Sequence, residues 1–272
     1  MVDELSVDQK NLQRIHAVEL SFGASGRPLC APGRVLVGEG RLTKQSRRRT
    51  QDKAFFLFND LLVYGSIVLH GRWYTRQQVI PLEDVQLEDL DDGLTLKNQW
   101  LIRTPRKSFS VAAASREEKR AWMEHIADSR SRRLQSSESR AGSSESRAGS
   151  SLAVAWVPDG ASSVCMRCSG RFSVTQRRHH CRQCGLVVCG GCSQHRRVIP
   201  HIHPTKRLRV CRACHSGALA RDGGPWRGHG TGRGGSEEEE LSGEETVEEH
   251  DPGTWGDRCS PFSYLTPPHR RC

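Results

Sequence analysis

No run of about twenty apolar residues occurs anywhere in the sequence, so no helix is expected to cross a bilayer, and any membrane residence is expected to be reversible and peripheral. No apolar signal segment opens at Met1. A chain kept in the reducing cytosol holds its thiols free, which argues against a disulfide framework for its eleven cysteines. Apolar residues make up only 35% and mean hydropathy is −0.61, so 272 residues have core for two modest domains, with much of the remainder exposed or disordered. Neither a recognition helix nor an aromatic-interleaved basic strand accompanies the pI of 9.3, so no nucleic-acid partner is expected. The terminal Cys272 does not form a C-a-a-X prenylation signal.

What the sequence does concentrate is cysteine. Eight of the eleven fall between Cys165 and Cys214 in four C-x-x-C pairs: Cys165/Cys168, Cys181/Cys184, Cys189/Cys192 and Cys211/Cys214. Two thiolates three residues apart can reach one tetrahedral ion from a tight turn, so four pairs supply two closed, structural Zn²⁺ sites. Two zincs replace the hydrophobic core that so short a segment could not build. Closed all-cysteine sites leave no open position for catalysis, and no enzyme is expected. Spacing alone leaves open whether adjacent or interleaved pairs share a metal. Cys30, Cys259 and Cys272 lie at no ligand spacing and read as ordinary free thiols.

Arg177-Arg178-His179-His180-Cys181-Arg182-Gln183-Cys184-Gly185 resembles the basic signature of the FYVE zinc-finger family. Trp156-Val157-Pro158-Asp159 is similar to that family's leading W-x-x-D and Arg209-Val210-Cys211 to its closing R-V-C. The resemblance covers about Trp156 to His215 and implies a cross-brace, with Cys165, Cys168, Cys189 and Cys192 on one zinc and Cys181, Cys184, Cys211 and Cys214 on the other. It also implies recognition of phosphatidylinositol 3-phosphate. By the family pattern Arg178, Arg182 and Arg209 face the 3-phosphate, Arg177 lies nearer the bridging phosphate, and His180 with Asp159 reads free hydroxyls.

The residue chemistry supports the same reading independently. Four arginines around a metal-braced turn present guanidinium forks that match phosphate oxygens bidentately. His179, His180 and Asp159 can hydrogen-bond ring hydroxyls and so discriminate against a ring phosphorylated there. Val174 and Thr175 match the family's exposed turret tip, which dips into the membrane interface; flanking Arg171, Arg177 and Arg178 add attraction to anionic lipid. Trp156 is expected to pack beneath the ligand-bearing loop.

Upstream, short strands are expected at Val35–Lys44, Ala54–Phe58, Leu61–Tyr64, Trp73–Ile80, Leu94–Lys97, Trp100–Thr104 and Phe109–Ala112, with Asn59-Asp60 as a hairpin turn. A helix follows from Ser115, where Ser-Arg-Glu-Glu forms a capping box, with Trp122 and Ile126 one turn apart on its inward face. Strands followed by a closing helix imply a small barrel plugged at one end. The arrangement resembles the pleckstrin homology (PH) domain, with Phe56, Phe58, Leu62, Tyr64 and Phe109 as candidate core. Lys44, Arg47, Arg48, Arg49 and Lys53 form a basic cluster at the expected open end, a candidate for a second, weak phosphoinositide contact. Lys53-Ala54-Phe55 stands where tight-binding PH domains usually carry an arginine.

The order PH then FYVE, with Ser21–Gly26 and Phe55–Asp60, resembles the phafin family, and Tyr64–Val68 is more similar to phafin-1 than to phafin-2. The expected class is therefore α+β multidomain: residues 1–34 an N-terminal extension, 35–133 a PH-like β-barrel capped by a C-terminal helix, 134–151 a flexible linker, 152–218 a small two-zinc cross-brace FYVE finger, and 219–272 a disordered Gly-rich and acidic tail. The linker carries Ser-Ser-Glu-Ser-Arg-Ala-Gly twice, with too little apolar content for a coiled coil. The tail has nine carboxylates and no Lys or Arg between Glu237 and Asp251, so the net charge of +10 divides into −9 there and +19 elsewhere. The resemblance implies a peripheral adaptor on early endosomes and lysosomes, cytoplasmic and perinuclear with a nuclear pool allowed, acting with unidentified trafficking or autophagy proteins in endosomal traffic, autophagy and lysosome-linked apoptosis. The competing classes are a RING-like ubiquitin ligase, which normally includes a histidine ligand, and a nucleic-acid-binding zinc protein.

Overall fold

The computed structural model describes residues 2–68, 73–92, 96–138 and 151–217. The second linker repeat and the acidic tail lie outside the described residues, and so does the first repeat beyond residue 138; residues 134–138, expected to open the flexible linker, instead continue the C-terminal helix of the barrel, where Ser136 Oγ donates to the Arg132 carbonyl at 2.9 Å.

Seven strands form one antiparallel sheet in the order β4-β3-β2-β1-β7-β6-β5. They are β1 (Leu36–Gln45), β2 (Thr50–Phe58), β3 (Leu61–Val68), β4 (Trp73–Pro81), β5 (Gln86–Asp89), β6 (Gln99–Arg103) and β7 (Phe109–Ala112). The strand expected at Leu94–Lys97 does not form over Leu96 and Lys97, and the edge strand is β5 instead. A sequence signal for β5 was nearly absent because only Leu87 of its four residues packs against the core.

The capping helix α2 (Arg116–Glu138) starts as its sequence dictates: Ser115 Oγ accepts the Glu118 N–H at 3.1 Å, while the Glu118 carboxylate reaches back to the Ala114 N–H at 3.0 Å. Trp122 and Ile126 point from α2 into the barrel core, where they meet Leu42, Phe55, Leu57, Leu62, Tyr64, Trp100 and Phe109. Phe55 and Trp122 make an edge contact at 6.4 Å.

Phe56 and Phe58 are buried, but on the other face of β2. Side chains alternate along a strand, so with Phe55 and Leu57 inward, Ala54, Phe56 and Phe58 must point outward. The N-terminal segment covers them. A helix α1 (Val2–Ser21) places Ile15, Val18 and then Phe22 over Phe56, Phe58, Val63 and Tyr74, a second core outside the barrel. Gly65 is required there, because an added Cβ would stand 2.4 Å from the Phe22 ring. No described helix is long and apolar enough to cross a membrane.

The C-terminal unit has little regular structure: the pair β8 (His179–His180) and β9 (Val187–Val188), the hairpin β10 (His195–Ile199) and β11 (His203–Val210), and the one-turn helix α3 (Arg212–His215). Its buried core consists largely of cysteine, with Val188, Ile199, Val210 and Ala213.

Candidate functional site

Two sulfur clusters organise the C-terminal unit. Cys165, Cys168, Cys189 and Cys192 converge in one, Cys181, Cys184, Cys211 and Cys214 in the other, with all sulfurs of a cluster within 4.8 Å. This is the interleaved arrangement. Zinc–thiolate bonds of about 2.3 Å imply tetrahedron edges of about 3.8 Å. Cys168 and Cys189 lie 3.8 Å apart and Cys184 and Cys211 3.9 Å, so the sulfurs fit the ion. Backbone donors complete each knuckle: the Cys189 N–H donates to Cys165 Sγ at 3.2 Å and the Cys211 N–H to Cys181 Sγ at 3.3 Å. Arg167 reaches from between the ligands of the first cluster to Cys184 of the second, 3.5 Å away. Sequence reading passed over Arg167 because it lies outside the basic run.

The second knuckle carries the basic run. Gly185 turns the chain at φ +73°, and an added Cβ would stand 2.4 Å from the Ala155 carbonyl oxygen. That closeness lets the Val157 N–H donate to the Gly185 carbonyl at 3.0 Å, which draws Trp156–Asp159 across the site. Trp156 then lies between two side chains of the expected headgroup set, stacked on His180 at 5.1 Å and under the Arg182 guanidinium at 3.9 Å. Arg182 also donates to the His180 carbonyl at 3.2 Å.

His180 is buried and its Nε2 lies 2.7 Å from the Val157 carbonyl, so Nε2 carries the proton and Nδ1 is left as an acceptor. Asp159 Oδ1 lies 3.6 Å from that Nε2. Neither His180 Nδ1 nor Asp159 Oδ1 has a hydrogen-bond partner among the described residues. Burial, then the charges of Arg209 and Arg47, lower the pKa of His179; burial also lowers that of His180, against the opposing Val157 bond. Both imidazoles are therefore held neutral among cations.

Arg209 on β11 donates to the Ser193 carbonyl at 2.9 Å, and its backbone carbonyl accepts the Arg182 N–H at 2.9 Å, so the two arginines are coupled through the main chain. Arg178 lies 4.7 Å over the Phe172 ring, and Arg177 is exposed beside it. The structure thus brings Asp159 and Arg182 each against His180, and the charges of Arg209, Arg47 and Arg177 act on the neighbouring His179, whereas Arg178 sits apart on Phe172 and the Ser162 carbonyl. Ser173 to Gln176 close a tight turn, with the Gln176 N–H donating to Ser173 Oγ at 3.0 Å; at its tip Val174 is 90% exposed and Thr175 is exposed.

The upstream basic cluster divides. Ser46–Arg49 form a compact turn between β1 and β2, closed by the Ser46 N–H donating to the Arg49 carbonyl at 2.9 Å. Arg47, Arg48 and Arg49 are exposed on it. Lys44 is not available as a surface contact: it follows Leu42 on the inward face of β1, is only 5% exposed, and sets its ammonium over Phe109 at 4.5 Å and Tyr64 at 5.9 Å. Lys53 is half-buried on β2, donates to Ser66 Oγ at 2.8 Å, and lines an open groove with Arg49, Thr75 and Arg76.

The two units touch. Ala153 donates its N–H to the Thr104 carbonyl at 3.0 Å and accepts from Ser108 Oγ. Asp159 donates its N–H to the Arg47 carbonyl at 2.9 Å, and its carboxylate lies 3.3 Å from Arg47 Nε. Sequence reading assigned Arg47 and Asp159 to separate sites; nothing local signals a contact over that separation.

Comparison with known families gives two matches, a FYVE zinc finger over residues 155–219 and an SOS1/NGEF-like PH domain over residues 27–129. Pleckstrin homology domain-containing family F member 1 of Mus musculus is 50% identical over 216 residues, covering 79% of this chain and 75% of its own length. Member 2 of the same family from Gallus gallus is 47% identical, covering 79% and 84% respectively. The solution structure of the LM5-1 FYVE domain from Leishmania major is 41% identical over 26% of this chain and 83% of its own, with a TM-score of 0.22.

Proposed function

The chain belongs to the phafins, pleckstrin homology domain-containing family F, and from that premise we propose that this phosphoinositide-binding adaptor recognises phosphatidylinositol 3-phosphate and works on early endosomal and lysosomal membranes. One observation carries the headgroup assignment. Two buried acceptors, Asp159 Oδ1 and His180 Nδ1, have no hydrogen-bond partner among the described residues, and they sit where the charges of Arg47 and Arg182 act on His180 and those of Arg209 and Arg177 on His179. Acceptors suit hydroxyl groups and guanidiniums suit a phosphate, so a ring bearing both is the complementary ligand. A ring phosphorylated where Asp159 and His180 need a hydroxyl would meet a carboxylate, and it is rejected by repulsion as well as by loss of hydrogen bonds.

The finger supplies specificity and the turret supplies insertion: Val174, with Thr175, enters the interface while Arg171, Arg177 and Arg178 hold the anionic surface. The groove beside Lys53, with Arg48 and Arg49 on the adjoining turn, makes a second, weaker contact with phosphoinositides. Roles in endosomal traffic, autophagy and lysosome-linked apoptosis, through protein partners, follow the family reading. Two Zn²⁺ ions, held by the two cysteine clusters, brace the headgroup loops and supply no chemistry to a substrate.

Vesicle sedimentation of the full chain tests the reading, with phosphatidylinositol 3-phosphate compared against its 4- and 5-phosphate isomers and against phosphatidylserine alone. The 3-phosphate should bind tightest. Arg182→Ala removes a charged hydrogen bond worth about 1.5–3 kcal/mol and should weaken that binding about ten- to a hundredfold, with zinc content unchanged. Equal binding of the three isomers, or unaltered affinity of the variant, overturns the assignment.

A further inference from the structure

The PH barrel meets the finger at a residue of the headgroup site. Arg47, on the turn between β1 and β2, engages Asp159 twice: its carbonyl accepts the Asp159 N–H at 2.9 Å, and its Nε lies 3.3 Å from Oδ2. The carboxylate is thereby divided. Oδ2 faces Arg47, and Oδ1, within 3.6 Å of His180, stays without a hydrogen-bond partner. A few residues earlier Ala153 is pinned to the barrel by Thr104 and Ser108, so the strap that delivers Asp159 is fixed from the same side. The Arg47 side chain is 39% exposed, and its charge also reaches His179 and His180.

From this contact we infer that Arg47 of the PH domain is a positioning residue of the FYVE headgroup site, so that the finger reads its inositol ring through a carboxylate oriented by the other domain. The inference rests on the headgroup reading above. The physical reason is electrostatic and geometric. An isolated Asp159 carboxylate beside a phosphate dianion opposes binding, and it rotates freely between hydroxyl-accepting and other orientations. Arg47 offsets the charge at Oδ2 and holds Oδ1 beside His180 without a hydrogen-bond partner, so one oxygen of the carboxylate is kept in reserve for a ring hydroxyl. The same contact sharpens discrimination, because an extra ring phosphate would have to displace an ion-paired carboxylate rather than turn a free one aside.

A double-mutant cycle on the full chain tests this, with affinity for vesicles containing phosphatidylinositol 3-phosphate and for vesicles containing the 4-phosphate as readouts, and zinc content and thermal midpoint measured in every variant. Arg47→Ala should weaken 3-phosphate binding by about three- to tenfold, the scale of a partly exposed ion pair with its orientation, and should narrow the gap between the two lipids. In an Asp159→Asn background Arg47→Ala should have almost no further effect, since it acts through the carboxylate. Arg47→Lys keeps the charge but loses the Nε geometry, and should restore less than half of the loss. Tighter or unchanged binding by Arg47→Ala overturns the inference, as does an equal loss in the Asp159→Asn background. If Arg182→Ala weakens binding while Arg47→Ala does not, this inference alone falls. If Arg182→Ala has no effect either, the headgroup reading falls and takes this one with it.

Discussion

Replacing Lys44 with methionine should stabilise the PH domain, most strongly below neutral pH. Lys44 is buried on the inward face of β1; desolvation first, then the like charges of Lys107 and Lys53, lower its pKa to about 7. A drop of about three and a half units below the usual lysine value corresponds to roughly 5 kcal/mol against keeping the charged form buried. The Phe109 and Tyr64 faces return about 0.5–2 kcal/mol of that, leaving a net penalty of about 3–4.5 kcal/mol while Lys44 is charged. Methionine has a similar length and no charge, so Lys44→Met removes the penalty without opening a cavity. The sign of the pH dependence follows from proton counting. Between about pH 7 and 10 the folded state holds Lys44 neutral and the unfolded state holds it charged, so the unfolded chain binds more protons and wild-type stability rises with pH. Below about pH 7 both states carry the proton and the full penalty is present. Urea unfolding of the full chain at constant zinc, followed by far-UV circular dichroism from pH 6 to 9.5, reads the effect. The difference between variant and wild type cancels other titrating groups; it should be about 3–4.5 kcal/mol at pH 6 and shrink steadily by pH 9.5. A constant difference across that range, or a variant less stable at every pH, would refute the reasoning.

Two other perturbations separate the domains. Chelation of zinc should unfold the finger and reduce lipid sedimentation to the weak residue left by the PH groove while the barrel's cooperative transition survives, because the finger's core is largely its own cysteines and the barrel has a core of its own; joint loss of both transitions would contradict that. Gly65→Val forces a side chain into the Phe22 ring and should cost about 1–3 kcal/mol by detaching α1 from the sheet, read as a lower urea midpoint with unchanged zinc content; an unaltered midpoint would show that the Phe22 contact carries little stability.

The parts of the fold that were legible in sequence are those set by local chemistry. Alternation marked β1, β3, β6 and β7 to within a few residues, and the Ser115 cap fixed the start of α2. The C-x-x-C knuckles were visible because two sulfurs of each ligand set sit in one turn. What escaped was decided by partners distant along the chain. Ala54-Phe55-Phe56-Leu57-Phe58 reads as a single apolar run, and nothing in it says that Phe56 and Phe58 are buried by Ile15, Val18 and Phe22 rather than by the barrel. Those three residues recur at helical spacing, a signal that was present but hidden by the polar residues around it. Lys44 was grouped with Arg47–Arg49 by charge, whereas its parity with Leu42 would have turned it inward.

The strap from Ala153 to Asp159 gives up hydrogen bonds in both directions, to Thr104, Ser108 and Arg47 on one side and to Gly185 on the other. It therefore belongs to neither module alone. A cut within it would leave each module without part of the other's wall, and a finger moved onto a foreign partner would have to find a new surface against which to hold its carboxylate.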